Sequence, residues 1–131
     1  MQSLASRHYA RVQQATADAR GIEAALLRQA NSHLHAARAA SPEAAPALRA
    51  QALSDNLRLW SAFEADLLHP DNRLSPPLRQ SLLSLAARVR RESLSALSGR
   101  DIPDELIAVN DAIIDGLQAS LAASANEGAL A

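Results

Sequence analysis

The chain has 131 residues, 48% of them hydrophobic but only 2% aromatic, with a formal net charge of -1 and no cysteine. That length suits one domain of about 1–131, with a core expected over 9–122 and frayed ends at 1–8 and 123–131. Disulfide frameworks and thiolate chemistry are excluded, and a near-neutral charge offers no global attraction to nucleic acid or anionic lipid.

Alanine and leucine supply most of the apolar content, while the β-branched and aromatic residues that strands prefer are scarce. The expected fold is all-α: a small four-helix bundle-like domain with a long first helix and a central antiparallel helical hairpin. From about Tyr9 to Ala40 the sequence reads as one helix, ~45 Å long at ~1.5 Å per residue. Its apolar stripe is read through Val12, Ala15, Ala19, Ile22 and Leu26, continuing weakly to Ala30, Leu34 and Ala37. Gly21 lowers helix propensity by ~1 kcal/mol relative to alanine.

Ser41-Pro42-Glu43 offers a cap, a proline for the first helical position and a carboxylate for the first turn. Pro46 lacks an N–H one turn later, so either that first turn is irregular or the regular helix starts near Pro46. Leu53, Leu57, Trp60, Phe63 and Leu67 then form an apolar face that stops at His69-Pro70-Asp71-Asn72. A third helix restarts at Ser75-Pro76 and carries Leu78, Leu82, Leu85, Ala86 and Val89 toward a stop at Gly99. The short connection predicts an antiparallel pair, with the Trp60 and Phe63 region facing Leu82 and Leu85. A last helix from about Pro103 to Ala122 places Leu106, Val109, Ile113, Leu117 and Leu121 on one stripe, with Asp104 and Glu105 at its positive end. The core is therefore expected to contain Leu53, Leu57, Trp60, Phe63, Leu67, Leu82, Leu85, Val89, Val109, Ile113 and Leu117.

Chemistry is sparse. His33 and His35 are two apart on a helix and point to different sides, so no metal site is expected. Asp111 and Asp115 lie one turn apart without a third polar group in register, which describes a solvated face. No serine sits in a nucleophile elbow and no glycine-rich loop could cradle phosphate, so neither an enzyme nor a cofactor is expected. Arg88, Arg90 and Arg91 form the densest basic group, but no aromatic residues interleave with them for base stacking. All thirteen basic residues are arginine and lie at or before Arg100, whereas Asp101, Asp104, Glu105, Asp111, Asp115 and Glu127 follow. The acidic last segment is expected to pack beside arginine-bearing helices. Without a basic and apolar leader or a run of ~20 apolar residues, the chain is expected to be cytoplasmic, with no membrane contact.

Two stretches, 56-NLRLWSAFEADLLHPDNRLSPPLRQSLLSLAARV-89 and 105-ELIAVNDAIIDGL-117, resemble the flagellar biosynthesis regulator family FlaF. The matching positions are Leu59, Trp60, Asp66, Leu67, Pro70, Asn72, Leu74, Leu78, Arg79, Leu82, Leu85, Val89, Val109, Asn110, Ile113, Gly116 and Leu117, within a likeness covering roughly residues 7 to 118. Family members tend to carry an aromatic residue in the third helix where this chain reads Ala87-Arg88. The resemblance implies a non-enzymatic protein that binds flagellin, promotes its synthesis and secretion as a chaperone or regulator, and acts in concert with FlbT.

Terminal amphipathic helices of flagellin would be received in a groove formed by the first helix against the body, or exposed by its movement. Ile22, Leu26, Leu106, Ile107 and Ile114 are the expected partner-binding residues. Ile107 and Ile114 fall off the main stripe of the last helix, so they serve either wider burial or a partner. The alternatives are an RNA-binding post-transcriptional regulator acting through Arg88, Arg90 and Arg91, and a structural bundle that self-associates through the first helix. The oligomeric state is not readable from the residues. Structural roles are expected for Asn110, which needs hydrogen-bond partners if buried, and for Gly116, which weakens a helix unless another backbone comes close.

Overall fold

A computed structural model describes residues 4–99 and 101–130, with side-chain surroundings given chiefly over 20–119. Four helices follow in order: α1 (Leu4–Ala39), α2 (Ala45–Leu68), α3 (Pro76–Leu97) and α4 (Asp104–Leu130). Among the described residues there is no strand. The backbone of α1 and α4 is helical beyond the limits expected at Tyr9 and Ala122. The stripe positions Val12, Ala15, Ala19 and Leu121 lie outside the residues whose side chains are described, as do parts of the ends expected to fray.

Local chemistry accounts for the breaks. Ser41 caps a turn rather than the helix proper: its Oγ accepts from the Ala44 N–H at 3.3 Å, and regular helix starts at Ala45 with Pro46 in the first turn. Thus Pro46 sits where its missing N–H costs no helical bond. His69 ends α2 in an extended conformation, and its Nδ1 accepts from the Asp71 N–H at 3.1 Å. Asn72 Nδ2 donates to the Asp66 carbonyl at 3.2 Å, and its Oδ1 accepts from the Leu74 N–H at 3.1 Å. Pro76 opens α3, and Gly99 follows its end at φ 103°, in the left-handed region that favours glycine.

Neighbouring helices are antiparallel. The pairs His33–Asp55, Glu64–Arg90 and Asn31–Asp111 fix the registers of α1 with α2, α2 with α3 and α1 with α4. With Glu64 opposite Arg90 and Asn56 opposite Ser93, Trp60 stands between the levels of Val89 and Leu94, more than a turn from the Leu85 expected opposite it; Leu82 and Leu85 lie nearer the Leu67 end of α2. Helix α3 meets α4 only slightly, chiefly where Arg88 pairs with Glu105. The acidic start of α4 also reaches α1, through Arg38 and Asp104.

The core gathers Leu27, Leu34, Ala37, Ala52, Leu53, Trp60, Ala86, Val89, Ala96, Ile102, Leu106, Ile107 and Ile114. Phe63, Leu85, Val109, Ile113 and Leu117 are half-buried against it, Leu67 is buried, and Leu57 and Leu82 are half-buried. The Trp60 and Phe63 rings meet edge to face at 5.5 Å and 81°. Two expectations need correction. The buried face of α1 runs Ala24, Leu27, Ala30, Asn31, Leu34 and Ala37, so Leu27 faces inward and its neighbour Leu26 outward. Leu106, Ile107 and Ile114 are 0%, 6% and 7% exposed. Because α4 packs on α1 while its side chains also reach α2, the wide apolar arc is buried within the bundle and these residues are not at its surface.

Candidate functional site between helices one and two

The buried asparagines and Ser93 of the interior are committed to one another. Trp60 Nε1–H donates to Asn110 Oδ1 at 2.8 Å, and Asn110 Nδ2 donates to Asn31 Oδ1 at 2.9 Å and to Asn56 Oδ1 at 2.8 Å. Asn31 Nδ2 donates to the Ile107 carbonyl at 3.2 Å and to Asp111 Oδ1 at 2.8 Å. Asn56 Nδ2 reaches Ser93 Oγ at 3.5 Å, and the Ser93 hydroxyl donates to the Val89 carbonyl at 2.7 Å. One chain of hydrogen bonds therefore ties all four helices. Its asparagine and serine members are buried with partners found inside the protein, which is the arrangement of a structural hub.

Two arginines of the basic group of α3 are paired, although Arg90 Nε is buried without a hydrogen-bond partner. Arg90 reaches both carboxylate oxygens of Glu64, at 2.8 and 3.1 Å, and Arg88 contacts Glu92 and Glu105. Loss of hydration and the adjoining Glu105 raise the Glu92 carboxyl above its ordinary range, with Arg88 opposing. A hollow of about 290 Å3 beside this group is lined by Glu92, Ser95, Ala96, Asp101, Pro103 and Glu105. Among the described residues no set of three or more His, Asp or Glu side chains is placed to hold a metal ion. His35 is exposed, and His33 Nδ1 lies 3.8 Å from Asp55.

What the interior does not use lies along α1 and α2. Leu26, Gln29, Ala30, His33, Asp55 and Leu59 line a shallow groove of about 220 Å3. Ile22, one turn before Leu26 on the same face, is 62% exposed, and Leu26 is 43% exposed. A small volume open along its length suits a ridge of side chains from another helix better than an enclosed small molecule. Single exposed leucines are ordinary on a protein surface. Leu48 and Leu94 are exposed toward one end of the α2–α3 hairpin and Leu68 and Leu78 toward the other. Ile22 and Leu26 differ in standing one turn apart and running into the groove.

Of the five expected partner-binding residues, the structure thus leaves Ile22 and Leu26 at the surface and withdraws Leu106, Ile107 and Ile114. Sequence reasoning missed Leu59, Asp55 and His33 as groove residues, although Asp55 and Leu59 share a helix face at a four-residue step. Trp60 and Asn110, two positions of the resemblance separated by fifty residues, meet in the hub. Gly116 has open space around it, so no neighbouring backbone approaches it closely. No helix among the described residues is long and apolar enough to cross a membrane.

No curated protein and no solved structure matches the chain. A family model described as flagellar protein FlaF does match it, over residues 5–117, which takes in the helical hairpin, the hub and the groove. The chain therefore belongs to the FlaF family, and its role is in the biogenesis or regulation of the flagellum.

Proposed function

We propose that the protein acts without catalysis, as a chaperone or regulator that binds flagellin and promotes its synthesis and secretion in concert with FlbT. A terminal amphipathic helix of flagellin docks its apolar face in the groove between α1 and α2. The observation that carries this reading is the pair Ile22 and Leu26, exposed one turn apart beside a ready-made interhelical groove. Anchors at i and i+4 are the pattern by which an amphipathic helix is held in a groove. A segment that folds as it binds spends part of the contact energy on ordering, which keeps affinity moderate and release possible.

Burying one leucine contributes about 1.5–3 kcal/mol. Co-expression with flagellin followed by size-exclusion chromatography should yield a complex with the wild-type chain, and Leu26→Glu should abolish co-elution while leaving the circular dichroism melt intact. Retention of flagellin by a folded Leu26→Glu variant would remove the groove from the proposal.

A further inference from the structure

The groove has a charge pattern as well as an apolar floor. On α2, Asp55, Leu59 and Asp66 share one face at steps of four and seven residues, so the carboxylates stand about 16 Å apart with the leucine between them. The Asp55 end is already engaged: its Oδ1 accepts from Gln51 at 2.9 Å and from Arg58 at 3.4 Å, and His33 lies 3.8 Å from its other oxygen. The opposite end is different. With His33 opposite Asp55 in antiparallel α1 and α2, half-buried Glu23 of α1 stands about level with Asp66, and among the described residues neither carboxylate forms an ion pair or side-chain hydrogen bond. Burial and Asp66 both raise the Glu23 carboxyl above its ordinary range, and Arg20 offsets them only in part. Two carboxylates at the same level of neighbouring helices repel in the free protein, and a cation brought between them relieves that repulsion.

We propose that the groove selects a helix whose apolar stripe lies on Ile22, Leu26 and Leu59 and whose Lys or Arg side chain docks between Glu23 and Asp66. The inference rests on reading the groove as a protein-docking surface, and adds the chemistry by which one segment is chosen over another. An acidic segment with the same apolar stripe is rejected by the same two carboxylates, so the site discriminates by repulsion as well as attraction. A helix fits because two antiparallel helices present ridges and a groove to it.

The test uses the full chain and two synthetic amphipathic peptides with an identical apolar stripe, one flanked by Lys and the other by Glu. Fluorescence anisotropy should show the Lys peptide binding at least about tenfold more tightly, with the preference shrinking as salt is added. Glu23→Gln combined with Asp66→Asn should remove the preference and keep residual binding of both peptides, whereas Leu26→Glu should abolish binding of both.

Equal affinity for the two peptides, with both lost in Leu26→Glu, would overturn the charge selection and leave the docking groove standing. Lys-peptide binding that survives Leu26→Glu would overturn docking itself and mark a nonspecific electrostatic contact. Failure of both peptides to bind would overturn the proposal. If the free chain sediments as a concentration-dependent dimer that Leu26→Glu makes monomeric, the groove is covered by a second copy and the proposal is overturned.

Discussion

The hub and the groove share α1 and α2 but treat polar groups in opposite ways. In the hub, Asn110 serves Trp60, Asn56 and Asn31 at once, and the amide of Asn31 goes on to α4. At the end of the groove, burial first and the charge of Asp66 second push the Glu23 carboxyl toward its neutral form, with Arg20 opposing. Buried polar groups are tolerated when each has a partner, because an unmet donor or acceptor costs about 1–3 kcal/mol. Satisfied groups specify the fold, whereas Glu23 and Asp66, at a solvent-facing edge, form no ion pair among the described residues.

The severest way to break that contrast is Asn110→Leu. It strips the acceptor from Trp60 and the donors from Asn31 and Asn56, leaving three buried groups unmet. Even with some apolar gain, a loss of about 4 kcal/mol is expected, a large part of the ~5–15 kcal/mol that holds a domain together. Urea unfolding followed by circular dichroism would measure it; a midpoint unchanged from wild type would show that water replaces the hub at no cost. Trp60→Phe removes the N–H donor together with part of the indole, so about 1–3 kcal/mol should be lost through the stranded Asn110 oxygen, with a small void adding to it. Trp60→Ala adds a cavity, and its cost should rise to about 3–5 kcal/mol.

The fold was largely legible because its signals are local: proline and serine at helix starts, Gly99 past a helix end, and strong periodicity in α2 and α3. The phase of α1 was not, since Leu26 and Leu27 are adjacent and alanine-rich turns on either side barely distinguish two stripes. Leu27 and Leu34, seven apart, could have decided it. The hub left a trace that sequence can carry: Asn31, Asn56, Ser93 and Asn110 each sit three or four residues from apolar core positions on both sides, as with Leu53 and Trp60 around Asn56. A polar residue in a core register announces that partners are needed, but which helix supplies them depends on tertiary contacts. The groove was half legible for a similar reason. Exposure of Ile22 followed only once Leu27 had claimed the inner face.

Gly116 sharpens the contrast from the outside of the molecule. It lies in α4 with nothing near the position a Cβ would take, so it serves neither the hub nor a close helix crossing. Gly116→Ala should therefore stabilise the chain by about 0.5–1 kcal/mol through helix propensity alone. A thermal melt showing destabilisation would reveal a contact at this face.

The smallest expected effect belongs to Glu23, which is half exposed to solvent, and it carries a definite sign. Its carboxyl is raised in the folded chain, so its contribution to stability is fully present below the unfolded value and is lost as pH rises through the folded one. Glu23→Gln removes that loss. The variant should melt close to wild type near pH 4 and above it at pH 7, so the difference in Tm grows with pH. Added salt should narrow the gap at pH 7, because part of it is repulsion from Asp66. A Tm difference that is flat across this range, or that favours wild type at neutral pH, would mean that Glu23 already has its cation in the free protein. The groove would then hold no unmet charge for a partner to answer, and the same substitution could not trade binding for stability.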